Sequence, residues 1–420
     1  MSIVVSMATG HQDASMTPLD AAACGSILAT QLPPVVPAGA RALLIVPDGT
    51  RTAPVGMLFN RIAEVLLPRV ARLDVLIALG THRPMTEEAI RRHLDLRPEH
   101  EGRVRVFNHT WNDPSQLEVM GELSAEDVAR HSDGLMRERV PLTLNRMVRE
   151  YDPLLILGPV FPHEMVGFSG GSKYLFPGIS GPEMIDIVHW IGALNTSMRT
   201  IGVIDTPIRR VLDAAADRLP LNISTIAFVA HRNEVVQLGV GSLRDAWRAS
   251  AEVAARVHVR RYPEPFRRVL ARCPEMYPDL WTGGKCVYKC EPVVADGGDL
   301  IVYAPHVKTF TEVHDALADQ LGFHVRDYYL ADWERWKRLP RAIMAYATIV
   351  KGDGTYRDGV ERPRINVHIA SQIPRERVER LGLNYIDPAT IRVEEWMNRE
   401  SEGVLYVERA GETLYRLDRA

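Results

Sequence analysis

Residues 162–189 read PHEMVGFSGGSKYLFPGISGPEMIDIVH, and the nature of this stretch decides the architecture around it. Upstream, residues 154–160 form an unbroken apolar run, the pattern of a buried parallel strand. Downstream, Pro182 suits the first turn of a helix, and Ile185, Ile187, Val188 and Ile191 give that helix an apolar face. The connection between them is too rich in glycine for a core element. Gly167, Gly170 and Gly171 permit backbone conformations that a Cβ forbids, and they let the chain approach a bound molecule closely. Lys173 stands in this loop, His163 precedes it, and His189 follows on the helix. Ligand-binding groups collect beyond the C-terminal ends of parallel strands, so the chemistry is expected here. The order Gly171-Ser172-Lys173-Tyr174 lacks the Gly-Lys-Ser/Thr ending of a Walker phosphate loop. Taken alone, the loop reads equally well as an anion-binding nest carrying a surface lysine.

Working outward, RALLIV at 41–46 is a buried strand that ends in Pro47-Asp48-Gly49-Thr50-Arg51. Asp48 and Arg51, three apart at a strand end, can address a hydroxyl and a carboxylate of one ligand, the planar guanidinium suiting the carboxylate. For this segment alone, a turn with a local ion pair is the competing reading. A helix is expected at 54–67 and a strand at 73–79, which runs into Gly80-Thr81-His82-Arg83. Residues 104–107 make a further short strand, followed by Asn108-His109, and the mixed charges of 115–152 read as solvated helices. Beyond the central stretch come strand 200–204, helix 208–219, strand 223–229 and helix 243–257. This alternation predicts an α/β sheet with helices on both faces. Residues 260–265 resemble a linker, after which the pattern restarts with strand 268–271, helix 284–295, strand 300–304, helices to about 349 and strand 364–369. The expected fold is therefore α/β, with two α/β domains and an active-site cleft between them. The N-terminal, cofactor-binding domain is placed at 1–265 and a smaller C-terminal one at 266–402. Residues 403–417 read as strand, turn at Gly411 and strand, packing back so that 403–420 completes the first domain.

A chain of 420 residues with net charge −3 has the length of two domains and no electrostatic footprint for nucleic acid or an anionic membrane. No apolar run approaches a membrane span, and the first residues lack the basic start of a signal peptide, so a cytoplasmic location is the default expectation. Gly10-His11-Gln12-Asp13 leaves the N-terminal stretch with two readings, an arm that reaches the active site or a ragged start, the company of His11 and Asp13 favouring the arm. Four scattered cysteines make no disulfide framework, and Cys286 and Cys290 read as helix packing.

DGTR (48–51), GTHR (80–83), NH (108–109), PHEMVGFSGGSKYLFPGIS (162–180) and His189, in this order, resemble the lactate racemase family over roughly residues 40–310. The resemblance implies a nickel-pincer nucleotide, carried covalently on Lys173 as a thioamide, with His189 as the protein's ligand to nickel. Imidazole beside sulfur donors in a flat four-donor set is chemistry that Ni(II) accepts. It also implies that His82 and His163 are the acid/base pair on either side of the substrate's C2. Hydride and proton leave to give a planar 2-keto acid and return on the other face. Arg51 would hold the carboxylate, while Asp48, Thr50, Gly167, Phe168, Ser169, Gly170 and Gly171 would contact the nucleotide. Cofactor-biosynthesis enzymes become the expected partners, an isolated chain can lack the group, and a homodimer is left open.

The departure lies at Trp281-Thr282-Gly283-Gly284-Lys285, where the family has Tyr-Gln-x-x-Lys. Lys285 is retained as a second carboxylate anchor. Trp281 and Thr282, followed by two glycines, imply a wider pocket with a hydroxyl, suited to a longer or polyhydroxylated 2-hydroxy acid such as an aldonate rather than lactate. His306 is expected on the remoter pocket wall with Trp281. Competing readings are a zinc-dependent hydrolase or lyase using the three histidines, and a non-catalytic cofactor-binding relative.

Overall fold

The computed structural model describes residues 17–49, 53–312 and 315–418. Its first part contains β1 (Arg41–Pro47), β2 (Arg72–Ala78), β3 (Val106–Asn108), β4 (Leu117–Leu123), β5 (Val140–Asn145), β6 (Leu154–Pro159), β7 (Pro162–His163), β8 (Gly167–Phe168), β9 (Ile223–His231) and β10 (Glu234–Ser242). Six of these form one sheet in the order β10-β9-β6-β1-β2-β3, parallel except for the β9–β10 pair. Strand side chains alternate between faces, and the core follows that period. Leu44, Val46, Val75, Ile77, Leu155 and Leu157 point to one apolar layer, built with helices Ala21–Gln31 and Val55–Leu66. Leu43, Ile45, Leu76, Leu154 and Ile156 point to the other, which includes helices Pro182–Asn195 and Pro207–Asp217.

The chain runs outward from β1 through β2 to β3, then returns across β1 to β6. Strand order thus reverses between β1 and β6, and the loops leaving their C-terminal ends diverge to open a crevice. Asp48 follows β1 there, His82 lies beyond β2, and His163 lies beyond β6.

The remaining strands are β11 (Val259–Tyr262), β12 (Phe266–Arg272), β13 (Val294–Ala304), β14 (Gly354–Arg357), β15 (Val360–Pro363), β16 (Asn366–Ser371), β17 (Asn384–Tyr385), β18 (Val404–Val407) and β19 (Leu414–Leu417). A second, parallel sheet runs β17-β16-β13-β12-β18. The α/β class and the two-sheet organisation stand as expected from sequence. The C-terminal segment is divided, however: β18 completes the second sheet, whereas β19 pairs with β11, in the stretch read as linker.

Three further local expectations are corrected. Residues 115–152 hold the antiparallel β4–β5 pair with one short helix, Ala125–His131, rather than solvated helices. Glu118 and Glu122 of β4 meet Arg149 and Arg139, so their charges mark the solvent face of a strand. Residues 200–204 are a turn after the short helix Ser197–Thr200. The helix expected at 284–295 is confined to Lys285–Cys290, and residues from Val294 onward enter β13. Among the described residues, no helix is long and apolar enough to cross a membrane.

Candidate active site

The glycine-rich loop is fixed by the protein itself. Gly167 has φ +83°, and a Cβ on it would lie 1.9 Å from the Val203 carbonyl oxygen. Gly170 and Gly171, also at positive φ, press against Trp247. The Trp247 indole donates to the Ser169 carbonyl (2.7 Å), and the Ser169 hydroxyl donates to the Pro159 carbonyl (2.8 Å). Arg209, buried and stacked 4.0 Å over the Trp247 ring, donates to the carbonyls of Phe168 and Gly170. Burial lowers its pKa to about 10, which leaves it charged at neutral pH. The glycines allow close packing against protein, and Phe168 is wholly enclosed. Gly167, Phe168, Ser169, Gly170 and Gly171 therefore position the loop, with Lys173 in the short 3₁₀ turn Gly171–Tyr174 that follows.

Residues 178–181 lead from this turn into helix Pro182–Asn195, and they are clasped from three sides. Gly80, next to His82 in the β2 loop, donates its N–H to Gly178. His109 Nε2 donates to the Ser180 carbonyl (3.0 Å), and Asn145 N–H bonds to Ile179. Burial drives the His109 pKa down to about 4, so the ring is neutral at physiological pH. Asn108 makes two hydrogen bonds to the Met85 backbone and pins the far end of the His82 loop. The Asn-His pair at 108–109 is thus a clamp.

On the helix, His189 Nδ1 lies 2.6 Å from the Ile185 carbonyl. A carbonyl only accepts, so Nδ1 carries the proton and a neutral ring keeps its lone pair on Nε2. Its pKa is lowered, first by burial and then by the nearby Lys173 ammonium; the Ile185 carbonyl, Glu164 and Asp186 oppose the shift. Lys173, Glu164 and His189 therefore form one electrostatic group.

His82 and His163 occupy unlike surroundings. His82 is half-exposed and its Nδ1 lies 2.5 Å from Oδ2 of the buried Asp48. Asp48, whose expected role was at the nucleotide, orients this imidazole. His163 is buried; its Nδ1 accepts from the Met165 N–H (3.2 Å) and lies 3.3 Å from Glu164 Oε2. Neither Glu164 nor the Asp48–His82 pair was singled out from sequence, because each partnership depends on rotamers and strand order. Thr50, Arg51 and the Gly10–Asp13 segment lie outside the described residues.

A cleft of about 1730 Å³ opens beyond β6, between the β9–β10 turn and the β18–β19 turn. His163, Glu164, Tyr277, Lys285 and Lys289 contribute to its wall. His82, Lys173 and His189 are not among its described lining residues, so His163 and Glu164 join the cleft to the sheet edge. Lys285 holds its ammonium 4.6 Å from the Tyr277 ring centroid. Its neighbours depart from expectation. Thr282 spends its hydroxyl on Asp279, which caps its helix, and Trp281 stacks on Tyr346 at 3.9 Å. A Cβ on Gly284 would meet Val350 at 3.1 Å and one on Gly283 would meet Cys273 at 3.3 Å, so both glycines serve helix packing and do not widen the pocket. His306 bonds to the Tyr277 carbonyl (3.0 Å) and braces that residue from behind. Among the described residues, no three His, Cys, Asp or Glu side chains converge as a metal site, which leaves the three-histidine zinc reading without a geometry.

Residues 7–202 match the lactate racemase N-terminal domain. The lactate racemase of Lactiplantibacillus plantarum is 29% identical over 153 residues, 35% of this chain and 32% of that protein. The lactate racemase of Thermoanaerobacterium thermosaccharolyticum is 24% identical over 223 residues, 51% of this chain and 48% of that protein. The matched stretches thus span less than half the length of these relatives. A crystal structure of a Thermotoga maritima protein superposes with TM-score 0.85 at 28% identity, covering 96% of this chain and 99% of that one. The lactate racemase apoprotein of T. thermosaccharolyticum has the same fold, with TM-score 0.71 at 17% identity over 94% of this chain and 93% of that one. Its N-terminal domain match and its curated relatives make the chain similar to lactate racemases, and it shares their fold.

Proposed function

We propose that the chain is a racemase or epimerase that inverts C2 of a 2-hydroxy acid, with a nickel-pincer nucleotide carried on Lys173 and ligated by His189. The observation that carries this reading is the state of His189: neutral, Nδ1–H held by a backbone carbonyl, lone pair on Nε2, beside a lysine. Proteins present metal-ligating histidines in this form, the bonded nitrogen fixing tautomer and orientation. The donor set suits nickel, and the lysine suits covalent attachment. When bound, the group supplies a reversible acceptor for the C2 hydride.

The proton work falls to the chain. With Nδ1–H turned to Asp48, a neutral His82 offers Nε2 as a base, and the carboxylate stabilises the imidazolium that results. His163, with Nδ1 accepting from the Met165 N–H, is neutral with its proton on Nε2; it serves as the acid once protonated, when Nδ1–H turns to Glu164 and Nε2–H is the proton given up. Glu164 is placed to pair with that ring when it is charged. Inversion requires one proton-accepting and one proton-donating group that exchange roles. Lys285 and Arg51 are the proposed anchors for the carboxylate. The proposed substrate is a longer or polyhydroxylated acid of the aldonate type, for which the open cleft lined by His163 and Lys285 has room.

The test is to express the chain with cofactor-synthesis enzymes, measure its intact mass and nickel, and follow C2 inversion of lactate, longer 2-hydroxy acids and aldonates by chiral chromatography. Added mass on Lys173, about one nickel per chain and inversion of a larger acid are expected. His82→Ala and His163→Ala should each abolish inversion while Lys173 stays modified. A loaded chain that inverts none of these acids, or an unmodified chain that retains zinc, would overturn the reading.

A further inference from the structure

Lys289 is buried, with 4% of its surface exposed, and it lines the same cleft as His163. It belongs to helix Lys285–Cys290, which packs on β12 and β13 of the second sheet. Its Nζ reaches back across 127 residues of sequence to donate to the Pro162 carbonyl at 2.7 Å. That carbonyl belongs to the peptide joining Pro162 to His163. Its orientation sets the plane from which the His163 backbone departs, and with it the direction of the imidazole.

Burying an ammonium is costly, because the charge must leave water. A methionine of similar length would fill the space without that penalty. The charge is felt nearby: the pKa of His258, across the cleft wall, is driven down to about 3 by burial, Lys289 and His231.

We propose that Lys289 is a positioning residue for His163, through which the second sheet sets the acid/base group carried by the first. The inference rests on the reading of His163 as an acid/base group. Three features support it. The β7–β8 hairpin that carries His163 is only two residues long on each side, so it has few hydrogen bonds of its own. The other face of His163 is held by Met165 and Glu164, which are local in sequence and move with it. Lys285, proposed to hold the substrate carboxylate, lies one turn before Lys289 on the same helix. One rigid helix thus spaces a substrate anchor against a proton-transfer group.

Lys289→Met on the cofactor-loaded enzyme tests this. The expected result is a fall in kcat of roughly tenfold or more with KM changed less than twofold, because substrate anchoring by Lys285 persists. Intact mass should show Lys173 loaded as in the wild type. A second readout needs no cofactor. In the apo chain labelled with ¹⁵N-histidine, the His163 ring resonances, assigned with His163→Gln, should shift in Lys289→Met while those of His109 stay in place. Should Lys289→Met not fold, Lys289→Arg serves: its longer fork displaces the Pro162 carbonyl, and the same kcat loss and resonance shift are expected. Undiminished kcat, or an unmoved His163 resonance, in whichever variant folds would overturn the proposal. Failure of the underlying reading is distinguishable, since His163→Ala would then itself retain full turnover.

Discussion

His82 and His163 are the same residue type beyond two strands of the same sheet, yet their hydrogen bonds give them opposite tautomers. Asp48 holds the proton of His82 on Nδ1, and the Met165 N–H leaves the proton of His163 on Nε2. Asp48→Asn preserves shape but offers an N–H to Nδ1, which moves the His82 proton to Nε2 and removes the base. Turnover of the loaded enzyme should fall roughly 100-fold or more; steady-state kinetics with the preferred acid check it, and wild-type turnover would show that Asp48 plays no part. His109 leads to a pH prediction. Its folded pKa, about 4, lies below the ordinary 6.5, so the unfolded chain takes up a proton that the folded chain refuses. The contribution is fully present above pH 6.5 and is lost as pH falls toward 4, a window worth roughly 3 kcal/mol. His109→Gln should make stability fall less steeply between pH 7 and pH 5, measured by urea unfolding. His258, pushed down to about 3, preserves part of the slope.

At the scale of elements, β1, β2, β3, β6 and β9 of the first sheet were legible in sequence, since long apolar runs admit few alternatives, whereas the antiparallel edge strand β10 was missed. The glycine-rich loop was legible as special but not in its purpose. Its glycines face Val203, Trp247 and Val160, and those neighbours come from segments that no spacing rule connects to it. The β4–β5 pair was obscured because Glu118 and Glu122, alternating along a strand, look like helix-forming acids until Arg149 and Arg139 are set beside them. Thr282 was misread for the same reason: its hydroxyl suits a pocket or a helix cap, and only Asp279 decides between them. The loop's dependence on its glycines can be tested by contrast. Gly167→Ala places a Cβ 1.9 Å from the Val203 oxygen at φ +83°, and should cost about 3 kcal/mol or more from strain and overpacking together. Gly359 has nearly the same φ, +76°, with nothing within 4 Å, and Gly359→Ala should cost about 1 kcal/mol. Equal losses in denaturant titration would show that the crowding at Gly167 relaxes freely.

Across the whole molecule, one apolar cluster runs from Leu43 of the first sheet through Val269 of the second to Leu414 near the C-terminus. The helix carrying His189 is bound into it from the far side, with Trp190 stacked on Trp333 at 5.2 Å and Asp186 paired with Arg341. The C-terminal strand β19 continues this connection toward the glycine-rich loop. Arg416, nearly buried, donates to the Ile201 carbonyl at 2.6 Å; the next residue, Gly202, donates its N–H to Gly167 at 3.0 Å and packs beneath Leu414. Replacing Arg416 with methionine has two opposed effects. The lost bond strands a buried carbonyl, which costs roughly 1–3 kcal/mol. Burial already lowers the Arg416 pKa, so removing the charge recovers part of its desolvation. The net loss of global stability should therefore be modest, about 1 kcal/mol. The local effect should be larger than the global one, because the Ile201–Gly202 turn loses its only described tie to β19 through a side-chain donor. Hydrogen exchange at the Gly202 amide should accelerate well beyond the change in global stability, while amides in β1 follow that change alone. If Gly202 and β1 respond equally, the C-terminal strand stabilises the molecule as a whole and does not brace the loop that carries Lys173.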